Sequence, residues 1–297
     1  MAATTSISKD SGPMLVDFSA IPESPPRELR FRRKLNPWPA VRDLWRTRDF
    51  TWALTERGLR ARYKQALLGV AWAIIPPFVT MVVLTLFVQK VVTINTGGVP
   101  YALFSYIALL PWGFFSNGLS NGSTALLNVG DLLRKAYCPR EAFAISSVIT
   151  SAVDTLIAVA VLFILFAYYT FVPKPTVVWV PLLIAVEVVF TIGTTLLLAA
   201  LVVHLRDLKY VVPLIVQMGL FATPIAYGID KIPHHLQLPY SIINPLAPVI
   251  DGFRRTVLLG KQPDWHLLWP ATVASFIWLG LGYVIFKRLE TGFADVI

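Results

Sequence analysis

The sequence predicts an all-α, polytopic integral membrane protein. Hydrophobic residues make up 56% of the 297-residue chain and charged residues only 14%, whereas soluble chains are about a quarter charged. No charge occurs between Leu67 and Gln89 or between Val91 and Gly130, and about 20 apolar residues suffice to cross a bilayer. These runs lack the apolar–polar alternation of barrel strands. They are therefore predicted to be helices, which satisfy their own backbone hydrogen bonds in lipid.

The charge and cysteine content exclude several other classes. The net charge of +9 is better explained by basic cytoplasmic loops than by nucleic-acid binding. The single cysteine, Cys138, cannot form an internal disulfide or a cysteine-based metal cluster. Residues 1–36 carry charges and prolines and lack the apolar core of a signal peptide, so we interpret them as a flexible cytoplasmic tail.

Residues 37–65 are predicted to form an interfacial amphipathic helix followed by a basic cluster. Trp38, Trp45 and Trp52 recur every seven residues and share one helical face, as expected for a helix lying at the lipid headgroups. The alternative is a soluble helix packed on another subunit. The basic cluster, which precedes the first span, consists of Arg57, Arg60, Arg62 and Lys64.

Six transmembrane helices are predicted within a membrane domain of residues 66–286. They comprise residues 66–89, 101–129, 142–171, 177–203, 211–229 and 267–286. The pair Pro76-Pro77 is expected to kink or break the first span. Residues 230–264 are too interrupted by prolines and charges to span, and are predicted to form an amphipathic, re-entrant outer segment before the last span. Residues 287–297 form a short cytoplasmic tail.

The distribution of basic residues predicts the orientation. Twenty Lys and Arg residues lie in the N-terminal segment, the two loops after the second and fourth spans, and the C-terminal tail, against six on the other side. Because basic residues accumulate in cytoplasmic loops, both termini are predicted to be cytoplasmic in a multi-pass membrane protein.

Two acids, Asp154 and Glu187, lie inside the predicted spans. An intramembrane carboxylate is costly and is a functional candidate by default. One interpretation is proton coupling in an ion-coupled secondary transporter. The other is a hydrogen-bonded structural acid, or one that lines a wet cavity.

The second span carries a polar stripe, formed by Asn117, Asn121, Thr124 and Asn128. Their spacing places all four side chains on one helical face. In lipid such a stripe must face protein or water. It therefore lines a translocation path or joins helices together, and the sequence leaves both open.

Catalytic signatures are missing from the sequence. There is no GxxxxGK[ST] loop to bind nucleotide phosphates, no Asp-x-Asp pair, and no metal-ligand spacing among the four histidines. We therefore expect a transport subunit rather than an enzyme, with no cofactor or metal in this chain. If ATP powers transport, ATP and Mg²⁺ bind to a separate ATPase chain.

Four stretches in order resemble a known family from about residue 37 to the C-terminus. They are LRARYKQ at 59–65 followed by Leu68-Gly69, Trp72 and Pro76-Pro77; LPW at 110–112 with FFS at 114–116 and LRKAYCPRE at 133–141; RDL at 206–208 with VPL at 212–214, Gln217 and TPI at 223–225; and NPL at 244–246 with Phe253-Arg254. The chain resembles the permeases of ABC exporters for polysaccharides and polyol phosphates, which move O-antigen, teichoic acid, capsule or galactan.

The resemblance implies a homodimer of six-span subunits in the bacterial plasma membrane, above two copies of a soluble ATPase. It also implies that the loop after the second span seats on the ATPase as a coupling loop, with Leu133, Arg134, Lys135, Tyr137, Pro139, Arg140 and Glu141. The alternative is that the basic residues of this loop only follow the positive-inside rule. Residues 230–259 resemble the family's re-entrant outer helices, which help to close the path on the outside.

The substrate implied by the resemblance is a glycan or polyol phosphate on a polyprenyl diphosphate lipid. The basic cluster at the inner membrane surface would attract its anionic headgroup. The alternatives are an ion-coupled carrier, an ABC permease for drugs or lipids, and a membrane-embedded transferase.

Overall fold

The computed structural model describes residues 47–64, 68–88, 96–129 and 138–293. Within these ranges the chain is helical and contains no strand, which confirms the all-α class. The main helices are α1 (Arg48–Tyr63), α2 (Ala71–Val83), α3 (Tyr101–Thr124), α4 (Glu141–Tyr168), α5 (Val180–His204), α6 (Leu208–Ala222), α7 (His234–Ile243), α8 (Leu246–Phe253) and α9 (Trp265–Leu289).

Four of these helices are long and apolar enough to cross a membrane. They are α3, α4, α9 and α5 with the 3-10 turn Pro175–Trp179 that precedes it. The first and fifth predicted spans correspond to shorter apolar helices, Ala71–Phe87 and Leu208–Ala222. The described part of the chain thus shows four candidate spans where six were predicted.

Prolines affect the two shorter helices differently. Pro76 and Pro77 lie inside α2 and do not end it, and a π-helical turn, Leu84–Val88, continues it. In contrast, α6 ends at Ala222, seven residues before the predicted end. Thr223 is extended, with ψ of 143°, because the residue before a proline, here Pro224, is sterically disfavoured in the helical region.

The bundle has two ends, which we name from the residues found there. The starts of α3, α5 and α9 define the upper end, where the Trp179 and Trp265 rings meet 5.0 Å apart. The starts of α1 and α4 and the end of α9 define the lower end, where the rings of Phe50 and Phe143 lie 5.8 Å apart.

Glycines set the closest helix crossings. A Cβ atom at Gly193 of α5 would lie 2.5 Å from the backbone nitrogen of Leu279, and one at Gly282 of α9 would strike the Gly193 carbonyl. On α3, Gly118 and Gly122 bring the helix against Thr191 and Thr195 of α5. Small residues at such crossings let backbones approach closely, which favours association of membrane helices.

The described part of the predicted interfacial region is α1, and it packs beside α4. Its buried side chains are Thr51 and Thr55, whereas Trp52 is 60% exposed. The helix runs on to Tyr63 and so contains most of the basic cluster, which was expected to follow it. Trp38, Trp45 and the tail of residues 1–36 lie outside the described residues.

The segment between α6 and α9 forms two short helices. Of these, α7 has 10 residues and α8 has 8, extended by the π-helical turn Arg254–Leu258. Neither is long enough to cross a bilayer alone. The Asn244-Pro245 step separates them, and α8 is buried through Leu246, Ala247 and Ile250.

Candidate functional site

Three residues of the polar stripe, Asn117, Asn121 and Thr124, lie on the lower half of α3, whereas Asn128 lies beyond the end of this helix in the 3-10 turn Leu127–Val129. The upper and lower halves of α3 differ in burial. Every residue from Tyr101 to Trp112 is buried. Below Trp112, Asn117, Asn121 and Asn128 are exposed and Thr124 is half-buried. The subunit therefore covers the upper half of this helix and leaves a polar face open on the lower half.

The helix packs through the side opposite this stripe. Gly118 and Gly122 face α4 and α5, since a Cβ atom at Gly118 would lie 3.1 Å from Thr191 Cγ2. Asn121 donates from Nδ2 to the carbonyl of Asn117, 2.8 Å away in the same helix. The stripe does not join α3 to the helices it packs against. Because exposed amides are costly in lipid, this face needs water or a second protein surface.

The basic cluster separates into two groups. Arg57, Arg60 and Lys64 are exposed on α1, and Arg60 pairs with Glu56 one turn earlier. Arg62 instead points to α4, where its guanidinium bonds the carboxylate of Asp154. Three cations of the cluster are thus presented on the surface of α1, and the fourth holds this helix in place.

Asp154 is buried and engaged on both oxygens. Arg62 donates to Oδ2, and the Tyr63 hydroxyl donates to Oδ1. Burial, followed by the hydrogen bond to Asp154, raises the pKa of Tyr63 to about 12, so this hydroxyl keeps its proton at neutral pH. The arrangement matches a hydrogen-bonded structural acid, whose partners come from α1.

Glu187 is also buried, within α5, but its environment differs. Its Oε1 has no hydrogen-bond partner among the described residues. The hydrogen bonds of Asp154 go to Arg62 and Tyr63, so the two acids do not form a direct hydrogen-bonded relay in the described part of the chain. Metal coordination finds no support there either, because no group of three His, Cys, Asp or Glu residues could hold an ion.

Only the last residues of the predicted coupling loop can be located. Leu133, Arg134, Lys135 and Tyr137 lie outside the described residues. Pro139, Arg140 and Glu141 lie at the start of α4.

Arg140 and Glu141 face the end of α9. Arg140 donates to the carbonyl of Glu290 and lies over the Phe293 ring, 5.6 Å from its centre. Glu141 Oε1 lies 2.9 Å from Lys287 Nζ, which also contacts Glu290 Oε2 at 2.9 Å. We call these five residues the C-terminal clasp. The sequence gives no sign of it, since its members are separated by about 150 positions.

A second group that sequence reasoning did not assign surrounds Arg254, at the upper end. Arg254 follows α8 and is 2% exposed. Burial lowers its pKa to about 10, which still leaves it charged at neutral pH. The signals in the sequence are a charge at the end of an otherwise apolar stretch and the place of Phe253-Arg254 in the fourth stretch of the resemblance.

Comparison with known proteins finds a matching family model and similar proteins of known name. A family model described as ABC-2 type transporter matches residues 50–258. The O-antigen export system permease protein RfbA of Myxococcus xanthus is 28% identical over 258 residues, which cover 86% of this chain and 98% of that protein. A protein of the same name from Klebsiella pneumoniae is 25% identical over 250 residues, which cover 84% of this chain and 95% of that protein. The range matched by the family model includes most of α1, the polar stripe and Arg254.

Proposed function

The chain belongs to the ABC-2 type transporter family, and from this premise we propose that it is the membrane-spanning permease subunit of an ATP-driven polysaccharide exporter. The relatives named as O-antigen export permeases match it over most of their length. The observation that carries the proposal is the exposed polar stripe on a helix whose upper half is sealed. Such a surface is suited to a hydroxyl-rich chain, because amide side chains both donate and accept hydrogen bonds.

In this proposal α2 and α6 also cross the membrane, which gives six spans. The lower end faces the cytoplasm, in line with the excess of Lys and Arg in its loops. The stripe then opens toward the cytoplasm, and the covered upper half of α3 closes the path on the outer side. The segment from α7 to Leu258 is re-entrant from the outer side.

A second copy of the chain completes the path. One subunit leaves its stripe open, and an amide-rich face cannot rest against lipid without cost. Two copies related by a two-fold axis would present the same surface to each other and enclose a polar passage. Two copies of a soluble ATPase bind below this homodimer, against the loop that contains Arg134 and Lys135. These ATPase subunits bind ATP and Mg²⁺, and this chain carries no cofactor.

The substrate enters as a glycan or polyol phosphate linked to polyprenyl diphosphate. Its anionic headgroup is attracted by Arg57, Arg60 and Lys64, which α1 presents on its exposed face. Surface cations attract anionic headgroups within about a Debye length. Reversing Arg57 and Arg60 to Glu should abolish export while the complex still assembles, and normal export by that variant would remove the basic cluster from the mechanism.

The stripe is tested by labelling with a membrane-impermeant thiol reagent. In a Cys138→Ser background the chain has no cysteine, so Asn117→Cys introduces a single thiol on the stripe. Ile277→Cys is a matched control, because it is exposed on α9 at similar depth but beside apolar residues. We expect labelling of the first and not of the second, since these reagents need water. If Asn117→Cys stays unlabelled, the stripe is a packed helix interface and not a path.

The ATP-driven mechanism is tested by co-expression with the soluble ATPase encoded nearest to this gene. We expect the chain to copurify with a tagged ATPase in equal amounts. If no ATPase copurifies and transport is lost when Glu187 and Asp154 are neutralised, the protein is an ion-coupled carrier.

A further inference from the structure

Arg254 makes an unusual set of contacts for a buried charge. Its Nε donates to the carbonyl of Phe104 at 3.1 Å, and Nη1 donates to the carbonyls of Pro224 at 2.7 Å and Tyr227 at 2.9 Å. Nη2 donates to the carbonyl of Ile225. The guanidinium also lies 3.8 Å from the centre of the Phe104 ring. All these hydrogen bonds go to backbone carbonyls, although a buried arginine is usually paired with an acid. The acid whose charge most favours the guanidinium, Asp251 in α8, is ion-paired with Arg255 instead.

The carbonyls that Arg254 binds come mainly from the turn after α6. The carbonyls of Pro224, Ile225 and Tyr227 lie beyond Ala222, where α6 ends, and the partial negative charge at the end of that helix favours a nearby cation. Pro224 also prevents the chain from continuing the helix. Since the acceptors belong to the backbone, the contacts depend on the conformation and position of this turn and not on its side chains.

Three further side chains hold the same turn. The Tyr101 hydroxyl donates to the carbonyl of Ala226 at 2.9 Å, and the Tyr240 hydroxyl donates to that of Ala222 at 2.5 Å. Asn244 Nδ2 donates to the hydroxyl of Thr223 at 2.9 Å. The donors come from α3, α7 and the residue after α7. The upper end of α6 is therefore fixed from three sides, and Arg254 is its only described charged contact.

We propose that Arg254 is a latch that keeps the upper end of the path closed by holding the turn after α6 against α3. This inference rests on the proposed export path along α3. The latch lies on the fully covered upper half of α3, the same helix whose lower half carries the exposed stripe. Opening the path moves the upper end of α6 away from Phe104 and breaks the hydrogen bonds of Arg254 together, because one planar guanidinium makes all of them.

The fork geometry makes the latch specific to arginine. Lysine keeps the charge but offers three donors from a single nitrogen, which cannot reach carbonyls on both α3 and the turn as a planar fork does. Arg254→Lys should therefore weaken the latch and Arg254→Gln should remove most of it. Arg255→Gln is the matched control, because the neighbouring Arg255 contacts Gln262, Asp251 and Asp264 and not the turn.

The test measures passive leak through the full-length protein in liposomes that hold a self-quenching dye, without nucleotide or substrate. We expect Arg254→Gln to leak several-fold faster than wild type, Arg254→Lys to be intermediate, and Arg255→Gln to match wild type. Monodisperse Arg254 variants that leak no faster than Arg255→Gln would overturn the latch. If the Arg254 variants do not fold, Tyr101→Phe decides in the same assay, because it deletes one hydroxyl contact with the turn. A faster leak then supports the latch, and an unchanged leak refutes it.

Failure of the latch and failure of the proposed function give different results. Copurification of the ATPase with the wild-type chain reports on the exporter alone. A chain that binds its ATPase but shows no leak in any folded variant is an exporter without this latch. A chain that binds no ATPase is not the proposed exporter, whatever the leak assay shows.

Discussion

The C-terminal clasp should be a major source of stability at the lower end of the bundle. The side chains of Lys287, Glu141 and Glu290 are 9%, 6% and 18% exposed, so water screens them weakly. Removing one partner from a buried ion pair costs about 3–5 kcal/mol, because it leaves an uncompensated charge. Lys287→Met deprives two carboxylates of their common cation, and we expect its cost to lie at the upper end of this range.

Two further variants, one single and one double, extend the comparison. Glu141→Gln leaves Lys287 paired with Glu290, so its cost should lie at the lower end of the range. The charge exchange Glu141→Lys with Lys287→Glu should recover only part of the loss. Residue 141 opens α4, where the helix dipole disfavours a cation, and the carboxylate introduced at position 287 would face Glu290. The expected order of stability is wild type, Glu141→Gln, and then Lys287→Met.

The assay is thermal unfolding in detergent, followed by the monodisperse fraction that survives heating. Each kcal/mol shifts Tm by about 2–4 °C for chains of about this size, so Lys287→Met should lower Tm by on the order of 10 °C. Lys209→Met is the control, since Lys209 is exposed at the start of α6. If Lys287→Met and Lys209→Met unfold at the same temperature, the ion pairs of the clasp do not contribute to stability.

Two other predictions follow from the helix contacts. Gly282→Ala should lower the free energy of unfolding by about 1–3 kcal/mol through overpacking, because the new methyl group strikes the Gly193 carbonyl. Gly280→Ala should be neutral, because its methyl group has nothing within 4 Å. Equal thermal stability of the two variants would refute the close crossing of α5 and α9. Asp154→Asn should lower stability by about 1.5–3 kcal/mol through the loss of hydrogen bonds to a charged group, while export persists in an assay with labelled glycan. Loss of export at unchanged stability would instead assign Asp154 to proton coupling.

Much of the helical architecture is readable from the sequence. Charge-free runs longer than a bilayer crossing predict α3, α4, α5 and α9 to within a few residues at most ends. The prediction is poorest for α6, whose upper end was placed at Ile229. Hydropathy continues past Ala222 into apolar residues such as Ile225, but the Thr223-Pro224 step ends the helix. Local backbone chemistry thus overrides composition at that end.

The polar contacts could not be predicted, because they join distant positions. Asp154 reads as a lone intramembrane acid, yet its partners Arg62 and Tyr63 lie about 90 positions earlier. The polar stripe likewise needs burial as well as spacing, since Asn117 and Asn121 are exposed on the described subunit. The spacing of its residues shows that they share a face, but not whether that face is covered.

Glu187 is the buried acid whose role a single substitution can decide. Unlike Asp154, it has an oxygen without a partner in the described part of the chain, and no cation contacts it there. Burial of an unpaired carboxyl is costly, so Glu187→Gln should preserve or raise thermal stability if the residue serves only packing. In that case export should also be unchanged. A variant that is as stable as wild type but fails to export would show that the carboxyl itself takes part in transport. That result would favour proton coupling at α5 over transport driven by the ATPase alone.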